Sequence, residues 1–143
     1  MLDPNDPIQA RILERLRTAE YAYLTTIRPD GRPHTVPICY LWEDGAILIC
    51  SLAHGVKINN LRQNPLVSLS LDHFGEPAYF SVVIEGTAEL VGEGGIELTY
   101  PPYAAKYTPL SRRMFGTDIP PADFIQQFSQ TIRVTPTRIR HDD

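Results

Sequence analysis

Residues 21–50 read YAYLTTIRPDGRPHTVPICYLWEDGAILIC, two successive pairs of aromatic, β-branched and aliphatic runs, each pair split by turn residues. Tyr21 to Ile27 has the composition of a strand, and Arg28-Pro29-Asp30-Gly31-Arg32-Pro33 supplies turn chemistry before His34 to Ile38. The first pair is therefore a hairpin. Pro37 has no N–H to give a ladder, which places it at a free edge or a bulge. Glu43-Asp44-Gly45 splits the second pair, and Asp-Gly is the favoured pair for a two-residue type I′ turn. With that turn, positions whose numbers sum to 89 face one another, so Cys39 stands opposite Cys50. In a chain without secretory features these read as two buried, reduced thiols rather than a redox pair.

Working outward toward the N-terminus, Asp6 is a helix cap, Pro7 suits the first helical position, and Ile8, Ile12, Leu13 and Leu16 recur at helical spacing. A short helix to about Glu20 follows. On the C-terminal side, Val56 to Asn64 reads as a helix stopped by Asn64-Pro65. Leu66 to Asp72 alternates as a strand, and Tyr79 to Val91 is a longer one with Gly86 as a bulge or kink. Tyr100 to Tyr107 is partly helical, Pro120-Pro121 opens a helix from Ala122 to Gln130, and Thr131 to Arg140 closes as a strand. About six strands with late, short helices and no βαβ alternation point to a mainly β (α+β) fold, a six-stranded antiparallel barrel with peripheral helices.

Composition sets the outer bounds. A chain of 143 residues fits one domain, 1–143, and 43% hydrophobic residues give it a core. Lys and Arg number 13 against 17 Asp and Glu, for a net charge of -4, so the basic footprint of a nucleic-acid binder is missing. The longest apolar run is a handful of residues such as Ala46 to Cys50, far from a membrane span. The acidic, proline-containing start Met1 to Pro7 lacks the pattern of a secretory signal, and a cytoplasmic protein is expected. Two cysteines cannot staple a scaffold or fill a zinc site, and the four histidines lack ligand spacing, so no metal is expected.

The segment Ser51 to Pro65 carries the chemistry. It joins a strand-end hydroxyl, Ser51, to a glycine, Gly55, and a lysine, Lys57, in the first turn of a helix. Helix-start amides, close backbone approach and a full charge together suit a phosphate. On spacing alone, a solvated lysine on a surface helix is the competing reading. His54, beside Lys57, is a candidate ligand contact, whereas His34 and His73 read as surface histidines and His141 as part of a terminal tail. Tyr100, Tyr103 and Tyr107 fall on one helical face, either as packing or as a lid beside a pocket. Arg112-Arg113 could then receive an anionic group.

Gly31-Arg32-Pro33-His34, Val36-Pro37, the Asp44-Gly45 hairpin, Lys57-Ile58-Asn59-Asn60-Leu61-Arg62-Gln63-Asn64-Pro65, Glu85-Gly86-Thr87-Ala88-Glu89-Leu90 and Arg133 to Arg138 occur in one order. As a set they resemble the split-β-barrel flavin and deazaflavin oxidoreductases related to pyridoxamine 5′-phosphate oxidase, over roughly Tyr21 to Arg138. The resemblance implies a homodimer with FMN or coenzyme F420 in grooves between subunits. It implies that Lys57, Ser51 and Asn60 lie at the cofactor phosphate. The strand holding Thr35, Val36, Pro37 and Ile38 would run along the ring; on the lid reading of the helical tyrosines, Tyr103, Tyr107 and Arg112 would sit on the substrate side. No catalytic side chain is implied, since hydride chemistry belongs to such a cofactor. The expected activity is hydride transfer to a small conjugated substrate. The rival is a flavin, coenzyme F420 or haem protein that binds or stores its ligand without turnover.

Overall fold

A computed structural model describes residues 2–72 and 80–142. Asp6 caps α1 (Pro7–Thr18), its carboxylate accepting from the amides of Ile8 and Gln9, as the cap pattern requires. The helix stops at Thr18, two residues before the expected end, because Ala19 is already extended. The strands are β1 (Ala22–Ile27), β2 (Pro33–Ile38), β3 (Leu41–Glu43), β4 (Ala46–Ser51), β5 (Leu66–Leu71), β6 (Ser81–Val91) and β7 (Gln130–Asp142). Among them sit α2 (Val56–Gln63), α3 (Pro101–Phe115) and α4 (Ala122–Gln127). Tyr79 and His73 lie outside the described residues. No described helix is long and apolar enough to cross a membrane.

The seven strands form one antiparallel sheet in the order β2-β1-β5-β6-β7-β4-β3. Its two edges, β2 and β3, are consecutive in the chain. In a flat sheet six inter-strand steps would part them by about 29 Å, whereas the path from Ile38 to Leu41 reaches at most about 11 Å. The sheet must therefore curl until its edges meet, which makes the half-barrel. Pro37 sits in the edge strand β2, where its missing N–H costs no ladder bond.

The same geometry explains seven strands in place of six. The run through Cys39-Tyr40 looks continuous in sequence but breaks where the chain steps from one sheet edge to the other. The 89-sum register holds for Leu41 with Leu48, Trp42 with Ile47 and Glu43 with Ala46. It ends there, so Cys39 and Cys50 are not a ladder pair. Asp44 at φ 53° and Gly45 at φ 75° supply the two positive angles of the type I′ turn. The β6–β7 ladder shifts register between Glu85 and Gly86, the expected bulge, with Thr137 as the extra residue.

Inside the curl, Leu24, Ile47, Ile49, Ile58, Leu69 and Ile84 form the main core, closed at one end by Ile12 and Leu16 of α1. A second cluster lies on the outer wall: Leu41, Leu48 and Cys50 pack against Leu98, Tyr103 and Tyr107. Strand β4 is thus covered on both faces, Ile47 and Ile49 inward and Leu48 and Cys50 outward. That double burial is why residues 46–50 are apolar without alternation.

Candidate functional site

Helix α3 runs fifteen residues, well past Tyr107, although Pro109 lies inside it. Pro109 is on the exposed side. Tyr103, Tyr107 and Ser111 are the buried positions, at a four-residue period that keeps one stripe against the barrel. Tyr100 does not share their role: its hydroxyl donates to the Glu43 carboxylate at 2.8 Å and pins the start of α3 to β3.

The middle of α3 holds the link between the sheet edges. The Tyr107 hydroxyl accepts from the Tyr40 amide at 2.8 Å and donates to the Glu20 carbonyl at 2.7 Å. The Lys106 ammonium donates to the Tyr40 carbonyl at 2.9 Å and rests 3.8 Å from the centre of the Tyr40 ring. Tyr40 is fully buried and its own hydroxyl donates to the Leu16 carbonyl at 2.7 Å. Tyr40 lies outside any ladder, so its buried N–H and C=O would go unpaired, and α3 satisfies them. Burial lowers the Lys106 amine to about 8, against the opposing influence of Cys39 and Glu20. It raises the Tyr107 phenol despite the Tyr40 backbone bond, and pushes the Cys50 thiol up to about 12, so neither thiolate nor phenolate forms near neutrality.

Between α3–α4 and the outer barrel wall lies a cavity of about 280 Å³. Pro37 and Ile38 from the end of β2, Ser51 from the end of β4 and Lys57 from α2 line it, and Tyr103 and Tyr107 face them from α3. Six of the residues singled out in the sequence therefore meet around one space. Cys39 and Cys50 also border it. Lys57 is half-buried and makes no hydrogen bond or ion pair with a described residue; desolvation lowers its amine below the ordinary lysine value. Helix α2 has no side-chain cap, so its first-turn amides remain open beside it. Gly55 precedes them at φ 122°, a conformation L side chains rarely adopt, with open space where a Cβ would stand. An unpaired ammonium and uncapped helix amides are a donor set that fits a phosphate, while the Ser51 hydroxyl donates to the Leu52 carbonyl at 2.9 Å and must turn to join them.

Other expected residues lie elsewhere. The Thr35 hydroxyl pairs with Thr25 at 2.8 Å, and Val36 packs on the barrel core. His54 is exposed in the turn before α2 and does not line the cavity. Asn60 does not line this cavity: its amide is buried and donates to the Thr26 hydroxyl at 2.9 Å, tying α2 to β1. Arg112 does not line it either; its guanidinium pairs with Asp118 at 2.5 Å, and it is Asp118 that borders the space. Arg112 holds the Asp118 carboxyl below the usual range. Arg113 pairs with Glu20 at 2.6 Å. His141 is no loose tail but lies in β7, its ring stacked 5.6 Å from Phe80.

The rest of the wall comes from residues the sequence reading passed over: Leu98, Leu110, Met114, Phe115, Phe124 and Phe128. Leu110 and Met114 continue the stripe of Tyr103 and Tyr107 at helical spacing. That signal lies beyond Tyr107, where the expected partly helical stretch ended.

The family model described as pyridoxamine 5′-phosphate oxidase matches residues 8–141. No curated relative matches the chain. Among solved structures, a conserved hypothetical protein from Mycobacterium tuberculosis superposes with a TM-score of 0.66 at 27% identity, covering 94% of this chain and 83% of that one. A structure described as an F420 reductase gives 0.63 at 26% identity, covering 89% and 94%. A protein from Mesorhizobium loti described as FAD-binding gives 0.66 at 22% identity, covering 92% and 90%, a likeness of fold. With the strand order, the curled sheet and a family match over nearly its whole length, the chain belongs to the pyridoxamine 5′-phosphate oxidase family of split-barrel proteins.

Proposed function

We propose that the protein is an oxidoreductase that holds FMN or coenzyme F420 and passes hydride to or from a small conjugated substrate. The observation that carries this reading is the unpaired, half-buried Lys57 beside Ser51 at the open start of α2, facing an apolar cavity. Lys57, Ser51 and the first amides of α2 hold the cofactor phosphate. The backbone of Thr35 to Ile38, on an edge strand with unpaired groups, runs along the ring. A bound flavin or deazaflavin supplies the hydride chemistry. The chain's own part is to bind, orient and keep water out: the apolar rings and aliphatic side chains of α3 and α4 make the dry side of the pocket. Two copies complete the groove at their interface.

The test is direct. Purified protein titrated with FMN and with coenzyme F420, followed by cofactor fluorescence, should bind one of them, and the bound cofactor should be reduced by a donor and reoxidised by an acceptor. Binding of neither, or a bound cofactor that never turns over, overturns the reading; a haem Soret band in the purified protein would replace it with storage.

A further inference from the structure

The substrate side of the cavity has a chemistry of its own, and the inference here rests on the function proposed above. Its walls are Leu98, Leu110, Met114, Phe115, Phe124 and Phe128. The polar groups among them are mostly committed. Ser111 donates to the Thr117 carbonyl at 2.8 Å, and the Tyr107 hydroxyl is occupied by Tyr40 and Glu20. One is not: the Tyr103 hydroxyl makes no hydrogen bond with a described residue, although the residue is buried and borders the cavity. The formal charges on the wall are Lys57, which the phosphate neutralises, and Asp118. Both nearby guanidiniums are paired, Arg112 with Asp118 and Arg113 with Glu20. With Lys57 taken by the phosphate, an anion entering this space would lose water, meet the Asp118 carboxylate on the wall and find no free cation among the described residues.

We propose that the cavity takes an uncharged fused-ring compound carrying one hydrogen-bond acceptor, which the Tyr103 hydroxyl engages, and that it rejects phosphorylated, sulfonated and carboxylated substrates. The rings of Phe124, Phe128 and Tyr103 supply faces and edges for stacking. Asp118 strengthens the rejection but is not its main source, since it is exposed and already paired.

Calorimetric titration with 2-naphthol, naphthalene and naphthalene-2-sulfonate tests this on two forms of the protein: wild type saturated with its cofactor, and Lys57→Gln without cofactor, in which the cation is removed by substitution. In both, 2-naphthol should bind at least about tenfold more tightly than the sulfonate. Tyr103→Phe should weaken 2-naphthol several-fold and leave naphthalene unchanged. Asp118→Asn should narrow the gap to the sulfonate about two- to threefold. Equal or tighter sulfonate binding, or a Tyr103→Phe protein that holds 2-naphthol as well as wild type, overturns the proposal. The Lys57→Gln arm needs no cofactor, so it still decides the matter if neither FMN nor coenzyme F420 binds and the function proposed above fails.

Discussion

Lys57 is a residue whose position is costly without a ligand. A half-buried ammonium with no partner among the described residues has lost water and gained nothing, which is why its amine is lowered. A phosphate would restore what it lost. Lys57→Ala should therefore weaken cofactor binding by about 1.5 to 3 kcal/mol, the scale of a charge-assisted hydrogen bond, with an unchanged circular dichroism spectrum. A dissociation constant equal to that of wild type would remove the phosphate assignment. Lys106 is the opposite case, a cation fully engaged by a carbonyl and two rings. Its amine falls to about 8 from 10.5, so between those values the unfolded chain binds more protons than the folded one. Stability from this group hence rises with pH across that window, and its penalty is complete below it. Lys106→Met abolishes the titration. The melting temperature of wild type relative to Lys106→Met should climb from about pH 7.5 to about pH 10, and parallel curves would show that Lys106 does not titrate there.

Helix α3 carries both structure and site, and its two buried tyrosines divide the work. Tyr107 satisfies the crossing at Tyr40, so Tyr107→Phe strands the buried Tyr40 amide at about 1 to 3 kcal/mol. Tyr107→Ala adds a cavity, about 3 to 5 kcal/mol for a buried aromatic, and should lower the melting temperature by roughly 10 °C or more. Tyr103→Phe removes a hydroxyl with no partner among the described residues and should shift the melting temperature by no more than about 2 °C. Thermal denaturation of the three variants separates the roles. If Tyr103→Phe destabilises as much as Tyr107→Phe, the division is wrong. The cover that α3 and α4 place on Leu48 and Cys50 also means that α3 is no detachable lid. It is the outer half of the second core.

At the level of the molecule, the outer face of β1 and β5 remains open. Tyr21 is 54% exposed, Tyr23 42% and Leu66 54%, on a sheet whose partners there are short serines and threonines. An apolar stripe of that kind on a small barrel suits a second copy, and the proposed cofactor groove needs one. Light scattering at low micromolar concentration should return twice the 16.1 kDa chain mass. The interface should bury more than about 2,000 Å² in total. A monomer mass would reject the shared groove, and Tyr23→Asp should shift the population toward it.

What the sequence alone determined is the local grammar. The Asp6-Pro7 cap, the Asp44-Gly45 turn and its register, the Gly86 bulge and the Ser51-to-Lys57 junction are all set by residues close together in the chain, where backbone preference and hydrogen-bond geometry act within a few positions. The tertiary structure decided the matters that depend on which distant surfaces meet. Sequence alternation could not show that Cys39-Tyr40 bridges the two edges of a curled sheet, because the requirement comes from a strand order fixed by β5, β6 and β7 much later in the chain. Asn60 has the same type and spacing whether it faces a ligand or Thr26, and only the packing of α2 on β1 chose Thr26. Arg112 and Asp118 are both charged, but the turn after α3 puts the carboxylate rather than the guanidinium on the cavity wall. Local spacing determines which residues share a face, while the burial of two hydrophobic clusters on opposite sides of β4 determines what each face meets.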